Sequence, residues 1–182
     1  MVQVIDQLER DHRNMGLLLD IIAEEMNAYR KGQVPDFDLL RMIAEYILHY
    51  PDLVHHPKED LVFERLALRD PGAKESIGNL VGEHKRLAEL TRRFAKAMND
   101  AANDVELPRE WFDSLVTEYL LANRMHIQTE EKHFFPRAMS SLTGKDWAEI
   151  DERLTHIADP LFGEKVANAY LFLHERILKC HG

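Results

Sequence analysis

Two stretches of the chain, VHHPKEDLVFERL and MHIQTEEKHFFPRA, are versions of one phrase. Each sets a glutamate four residues after a histidine, His55 to Glu59 and His126 to Glu130, and each continues with another acid and then a phenylalanine at the same offset, Phe63 and Phe134. Upstream of each phrase stands one histidine between an acid and a base, His12 in ERDHRNMGLLLD and His84 in GEHKRLAELTR. The separation from His12 to His55 is 43 residues, and from His84 to His126 it is 42. The chain is therefore an approximate twofold repeat of a helical hairpin, with His on its first helix and His-x-x-x-Glu on its second. A spacing of four puts two side chains on one helix face, one turn apart. Two such halves, folded face to face, bring four imidazoles and two carboxylates to the centre.

The rest of the pattern agrees with helices. Apolar residues recur at three and four from Val4 to about Tyr29: Ile5, Leu8, Met15, Leu18, Leu19, Ile22 and Met26. KGQVPD breaks the run with Gly32 and Pro35. A second helix is expected from about Phe37 to Leu68, disturbed at Pro51 and at Pro57, where a missing backbone bond should kink it. After the RDPGA turn a third is expected from about Lys74 to Ala102. A fourth runs from Pro108, suited to a first helical turn, to about Met139. Four long helices with short connections predict an all-α, antiparallel up-down four-helix bundle over residues 1–142. Residues 143–182 read as an extension of two shorter helices packed on it. The first starts at Thr143, with Asp146 three residues on as a capping-box partner. The second is amphipathic over EKVANAYLFLHERIL, with Val166, Tyr170, Leu173 and Ile177 on one face. This extension covers an apolar face, with a dimer contact as the alternative role.

Composition removes several classes of function. The net charge of -9 repels a phosphate backbone, so nucleic acid is not an expected partner. Cys180 is the only cysteine, so no disulfide framework forms within one chain, which fits a reducing compartment. The charged N-terminus is not a signal peptide, and no apolar run approaches the ~20 residues of a membrane span. A cytoplasmic monomer or homodimer is the expectation.

The six repeated residues sit among Leu8, Met15, Leu19, Leu80, Leu87, Leu121 and Phe134. Burying six polar groups on apolar faces is costly unless all are satisfied, and bare carboxylates are the costliest. A bound metal satisfies them together. Six nitrogen and oxygen ligands without thiolate are too many for one tetrahedral zinc; two bridging carboxylates and two imidazoles per ion suit a pair of iron or manganese ions. A ferritin-like frame, Glu-x-x-His on two helices, is present only as Glu9–His12 and Glu130–His133, on the wrong pair of helices, and is set aside.

The ordered set His12, HHPKED, EH at His84, HIQTEE and FFP resembles the hemerythrin-like HHE cation-binding domains over about residues 5–140. The resemblance implies a non-haem di-iron centre bridged by Glu59 and Glu130 and by an oxygen, with His12 and His55 on one iron and His84 and His126 on the other. Oxygen carriers of this type have a further histidine one turn after the position of His84; here that residue is Ala88. Each iron is then expected to keep a vacancy, an arrangement suited to reaction chemistry. The set is more similar to the bacterial repair-of-iron-centres and peroxide-handling hemerythrin-like proteins, which respond to nitric oxide or oxidative stress. The cysteine-bearing N-terminal domain usual in the repair proteins is not expected here.

The expected function is binding or reduction of oxygen, nitric oxide or peroxide at a His4Glu2 di-iron centre. The alternative is a non-catalytic di-iron sensor, oxygen-binding or iron-binding module that signals through its C-terminal helices to a protein partner; a bundle that has lost its metal is a third. Among other residues, His56 with Asp60 makes a second frame about 100° round the helix, read as unable to face the same point as His55 and Glu59. His133 and Tyr119 are each seven residues from His126; His133 is read as a partly exposed polar side chain, with a spare ligand or a supporting donor as the alternative, and Tyr119 as a core tyrosine, with a place near the site as the alternative. Gly16, one turn after His12, either keeps space for a small ligand or permits close helix packing. His49, His156, His174 and His181 are read as surface or satisfied histidines.

Overall fold

The computed structural model describes residues 2–155 and 157–181, apart from the side chains at 74, 76, 180 and 181. Among these residues the structure is a helical bundle without strands. The first helix, α1 (Gln3–Arg30), ends where Gly32 takes φ +86°, a conformation open to glycine at no steric cost. The second long run is divided into α2 (Phe37–His49), a π turn over Pro51–His55 and α3 (His56–Arg69). At the disturbance expected near Pro57 the backbone shifts from i+4 to i+5 bonding upstream of the proline, whose nitrogen has no hydrogen to donate. The fourth run repeats this. After α6 (Arg109–Thr129), a π turn over Glu130–Phe134 precedes α7 (Phe135–Ser141), and Pro136 lies in the first turn of α7.

The third run is not one helix. A short α4 (Ala73–Ile77) ends at Gly78, again at φ +86°, and α5 (Leu80–Ala102) begins anew under Asn79, whose side chain accepts the Gly82 N–H at 3.1 Å. In the tail, α8 (Gly144–Arg153) starts with the expected capping box between Thr143 and Asp146. The last helix, α9 (Leu171–His181), starts several residues later than its amphipathic pattern suggests. The preceding backbone is committed elsewhere: the Ala167 N–H bonds the Pro160 carbonyl, and Leu161 and Phe162 N–H groups bond the Asp159 carboxylate at 2.8 and 2.9 Å.

Two apolar clusters fill the interior. One gathers Leu18, Ile22, Ile43, Phe94, Phe112 and Tyr119, with Leu161, Leu173 and Ile177 from the tail. The other gathers Ile5, Leu8, Val62, Phe63, Leu80, Phe134 and Phe135, with Ile150 of α8. Of the predicted apolar neighbours of the histidines, Leu8, Leu19, Leu80 and Phe134 lie in these clusters and Met15 and Leu87 are buried beside them, whereas Leu121 is 57% exposed and faces away. No helix among the described residues is long and apolar enough to cross a membrane.

Candidate metal centre

The junction between the two clusters is polar. On α1, His12 lies between Leu8 of one cluster and Leu18 of the other; on α5, His84 lies between Leu80 and Leu90. His55 closes the first π turn and Glu59 follows in the first turn of α3. His126 is in the last turn of α6 and Glu130 opens the second π turn. All six are buried, the two glutamates completely.

The structure brings these six side chains to one place. The Nε2 atom of His12 lies 3.4 Å from Glu59 and 3.3 Å from Glu130, and that of His55 lies 3.3 Å from Glu59. The Nε2 atom of His84 lies 3.4 Å from both carboxylates, and that of His126 lies 3.2 Å from Glu130. Nearly all of these contacts are poorly aligned as hydrogen bonds. Nε2 of His12, His55 and His126, both Glu59 oxygens and one Glu130 oxygen have no hydrogen-bond partner. Buried polar atoms without partners are expensive. Donor atoms about 2.1 Å from a shared cation, at angles near 90–110°, stand roughly 3.0–3.4 Å from one another. The observed contacts have that spacing, so the residues fit a cation placed between them.

The outward nitrogens face a second ring of acids. Within each half, Asp11 lies 3.2 Å from His55 Nδ1 and Glu83 lies 3.7 Å from His126 Nδ1. Across the halves, Asp60 lies 2.8 Å from His84 Nδ1 and Glu131 lies 3.3 Å from His12 Nδ1. Carboxylates in this position fix the ring orientation and tautomer of a metal-binding histidine and raise its basicity. The sequence carried a signal for them, since each is adjacent to one of the six, but spacing alone assigns them no role.

Without metal, protons stand in for cations. Burial opposes the imidazolium of His12, but the negative charges of Glu130 and Glu59, 3.3 and 3.4 Å from its Nε2, outweigh it and push its pKa up to about 10. Burial likewise opposes His84, whose pKa is pushed up to about 10 by Asp60 and Glu130. Burial disfavours the Glu59 carboxylate, yet His55 and His12 hold it well below the usual carboxylate range.

His56 departs from the sequence reading. It is buried, its ring stacks on His84 with centroids 4.4 Å apart, and Asp60 has gone to His84 instead. Adjacent side chains 100° apart straddle a centre wide enough for several groups, so both histidines reach it. One nitrogen or oxygen each of His56, Glu59, His84 and His126 lie within 4.8 Å of one another, as do those of His12, His55 and Glu59. His133 is exposed and Glu9 takes no part, so the ferritin-like frame is not assembled. Tyr119 is a core residue stacked on Phe94 at 4.2 Å. A Cβ at Gly16 would meet nothing within 4 Å, so close packing is not its reason; it lines a cleft of about 340 Å³ with Leu19, Ile127, His12 and Glu131. His49 contacts the Glu45 carbonyl and His174 the Leu161 carbonyl, whereas His156 and the His181 side chain lie outside the described residues.

Over residues 3–138 the chain matches the family model described as the Hemerythrin HHE cation binding domain. No curated protein and no solved structure matches it.

Proposed function

Because this chain belongs to the hemerythrin HHE cation-binding domain family, we propose that it holds two iron ions and binds or reduces a small oxidant or diatomic (oxygen, nitric oxide or peroxide) in a stress response. In this reading residues 1–142 are an antiparallel four-helix bundle and residues 143–182 a packed extension. Successive elements support it by running between the two apolar clusters in alternating order: Leu8 then Leu18 on α1, Ile43 then Val62 across α2 and α3, Leu80 then Phe94 on α5, Phe112 then Phe134 across α6 and α7.

His12, His55, Glu59, His84, His126 and Glu130 would hold the ions, with Glu59 and Glu130 shared between them; manganese would suit the same donors. The observation that carries the proposal is the spacing of 3.2–3.4 Å between unpaired imidazole nitrogens and carboxylate oxygens. When bound, such an ion pair supplies redox change and coordination positions for a small ligand. The chain's own residues do the rest. Asp11, Asp60, Glu83 and Glu131 hold the imidazoles in register, and Leu8, Leu80, Phe134 and Phe135 restrict water. A cytoplasmic setting accords with the single cysteine.

Stopped-flow mixing of the ferrous protein with oxygen, nitric oxide and hydrogen peroxide tests this. Reaction with at least one is expected, and inertness to all three defeats the proposal. A sensing role is the second reading. It is favoured by the contact between α3, which carries Glu59, and the extension: Arg65 and Arg69 hold Asp146 of α8 at 2.5 and 2.9 Å. Many turnovers of peroxide per iron select an enzyme; a single stoichiometric spectral change selects a sensor or carrier.

A further inference from the structure

Resting on the reading of the centre as one that reduces peroxide, we propose that Tyr50, Tyr46 and Tyr170 form an electron route from the side of His55 to the surface. The chain then oxidises a small one-electron donor, such as a soluble phenol or ascorbate, at Tyr170.

Three observations carry this. First, the rings touch one after another. Tyr46 and Tyr50 are buried and stacked with centroids 5.9 Å apart, and Tyr170 meets Tyr46 edge-on at 5.7 Å. Both separations lie within the roughly 4.5–7 Å of aromatic pairs in contact. Tyr170 is half-buried, so the series ends at the surface, on the extension. At the other end Tyr50 caps the first π turn, and its carbonyl accepts the His55 N–H at 3.3 Å. In an unbroken α-helix His55 would stand about 180° from Tyr46, nine residues back; the residue inserted by the π turn takes up part of that rotation. Asp11, 3.2 Å from His55 Nδ1, lines the same cavity of about 630 Å³ as Tyr50.

Second, the middle tyrosine has a proton acceptor. The Tyr46 hydroxyl donates to Asp159 Oδ2 at 3.0 Å, while Asp159 Oδ1 accepts the N–H groups of Leu161 and Phe162. A phenol gives up an electron readily only when its proton leaves with it. Burial raises the Asp159 pKa from its ordinary value, which makes the carboxylate a better base for that proton.

Third, packing does not call for these hydroxyls. That of Tyr50 is buried without a hydrogen-bond partner, and phenylalanine would fill the same space without that cost. The repeat does not call for them either. His55 corresponds to His126, so Tyr46 and Tyr50 correspond to Thr117 and Leu121. Only one half of the molecule has the route.

The electrons balance as follows. Hydrogen peroxide takes two electrons and two protons and leaves as two waters. Each electron comes from Tyr46 by way of Tyr50, as the Tyr46 proton passes to Asp159 and a neutral phenoxyl radical remains. An electron arriving through Tyr170 and the proton held by Asp159 restore the phenol. Two donor molecules, each losing one electron and one proton, are oxidised per peroxide.

The test mixes the full chain, loaded with ferrous iron, with hydrogen peroxide and no donor. Samples are freeze-quenched for electron paramagnetic resonance, and a parallel sample is given a nitroso spin trap and mapped by peptide mass spectrometry. Wild type is expected to give a tyrosyl radical signal that narrows with ring-deuterated tyrosine, and a trap adduct on Tyr170. Tyr46→Phe is expected to lose both, although Tyr170 is still present, and Tyr119→Phe to keep both. Wild type that consumes peroxide without a tyrosyl radical at any quench time overturns the route, with no variant required to fold. An unchanged signal and adduct in Tyr46→Phe do the same, and Tyr50→Phe serves if Tyr46→Phe fails to retain iron. Two irons with peroxide left unreacted overturn this inference while leaving reaction with oxygen or nitric oxide standing. Fewer than two irons overturn the two-iron reading as well, so iron content tells the failures apart.

Discussion

Glu59 and Glu130 are the residues on which the centre turns. Each is fully buried, and each faces imidazoles from both halves of the repeat: Glu59 meets His12, His55 and His84, and Glu130 meets His12, His84 and His126. A carboxylate in contact with both groups of histidines is placed to bridge the two proposed ions, so losing it would affect both. Glu59→Ala and Glu130→Ala are each expected to lose both irons, read as metal content after purification; loss of one iron from either variant contradicts the bridging role. The six central residues were legible because they recur at fixed spacing. His56 was not, because a helical wheel describes an isolated axis. Whether a side chain 100° away reaches the same centre depends on how wide that centre is and what faces it, here His84 on α5.

At the scale of elements, the two π turns show how local chemistry sets ligand positions. Each ends two residues before a proline, at Pro57 and Pro136, because a missing N–H makes the i+4 ladder dispensable there. They fall differently against the repeat: His55 ends the first and Glu130 begins the second. The prolines were visible in the sequence. That the backbone would take a π turn ahead of each proline was not. The extension is fastened in a comparable way. Asp146 completes the capping box of α8 and also accepts Arg65 and Arg69 from α3. Thr143→Ala is expected to destabilise the protein by about 1 kcal/mol in urea unfolding. Asp146→Ala is expected to cost more and to open residues 143–153 to protease, since two guanidinium groups lose their partner along with the cap. Equal losses from the two substitutions would show that the arginines do not fasten α8.

For the whole molecule, the proposed centre would make folding and metal binding one equilibrium. The polar belt divides the interior, and a cation bound there would satisfy its unpaired atoms. Chelation is therefore expected to lower the melting temperature. The loss is on the order of 4 kcal/mol where metal had stood a thousandfold above its Kd; equal melting temperatures would count against a buried site. The metal-free form also has its own pH dependence. His12 and His84 have folded pKa values of about 10, above the 6.5 of an unfolded histidine. Their protonated forms thus contribute stability in full below pH 6.5, and that contribution is lost as pH rises towards 10. The chelated protein is expected to melt progressively lower across that window, whereas the loaded protein, whose cations displace those protons, is not. A flat profile for the chelated protein would remove the imidazolium–carboxylate contacts as a source of its stability.

By itself the sequence determined the helical class, the short breaks, the capping box at Thr143 and the six repeated donors, because helical periodicity, backbone chemistry and fixed spacing act within a few residues. The tertiary structure alone decided which acid stands behind which imidazole, that Leu121 faces outward, that Gly78 divides the third run and that His56 joins the centre. Those outcomes depend on the distance and angle between elements far apart in the chain, which side-chain packing fixes and residue spacing does not encode.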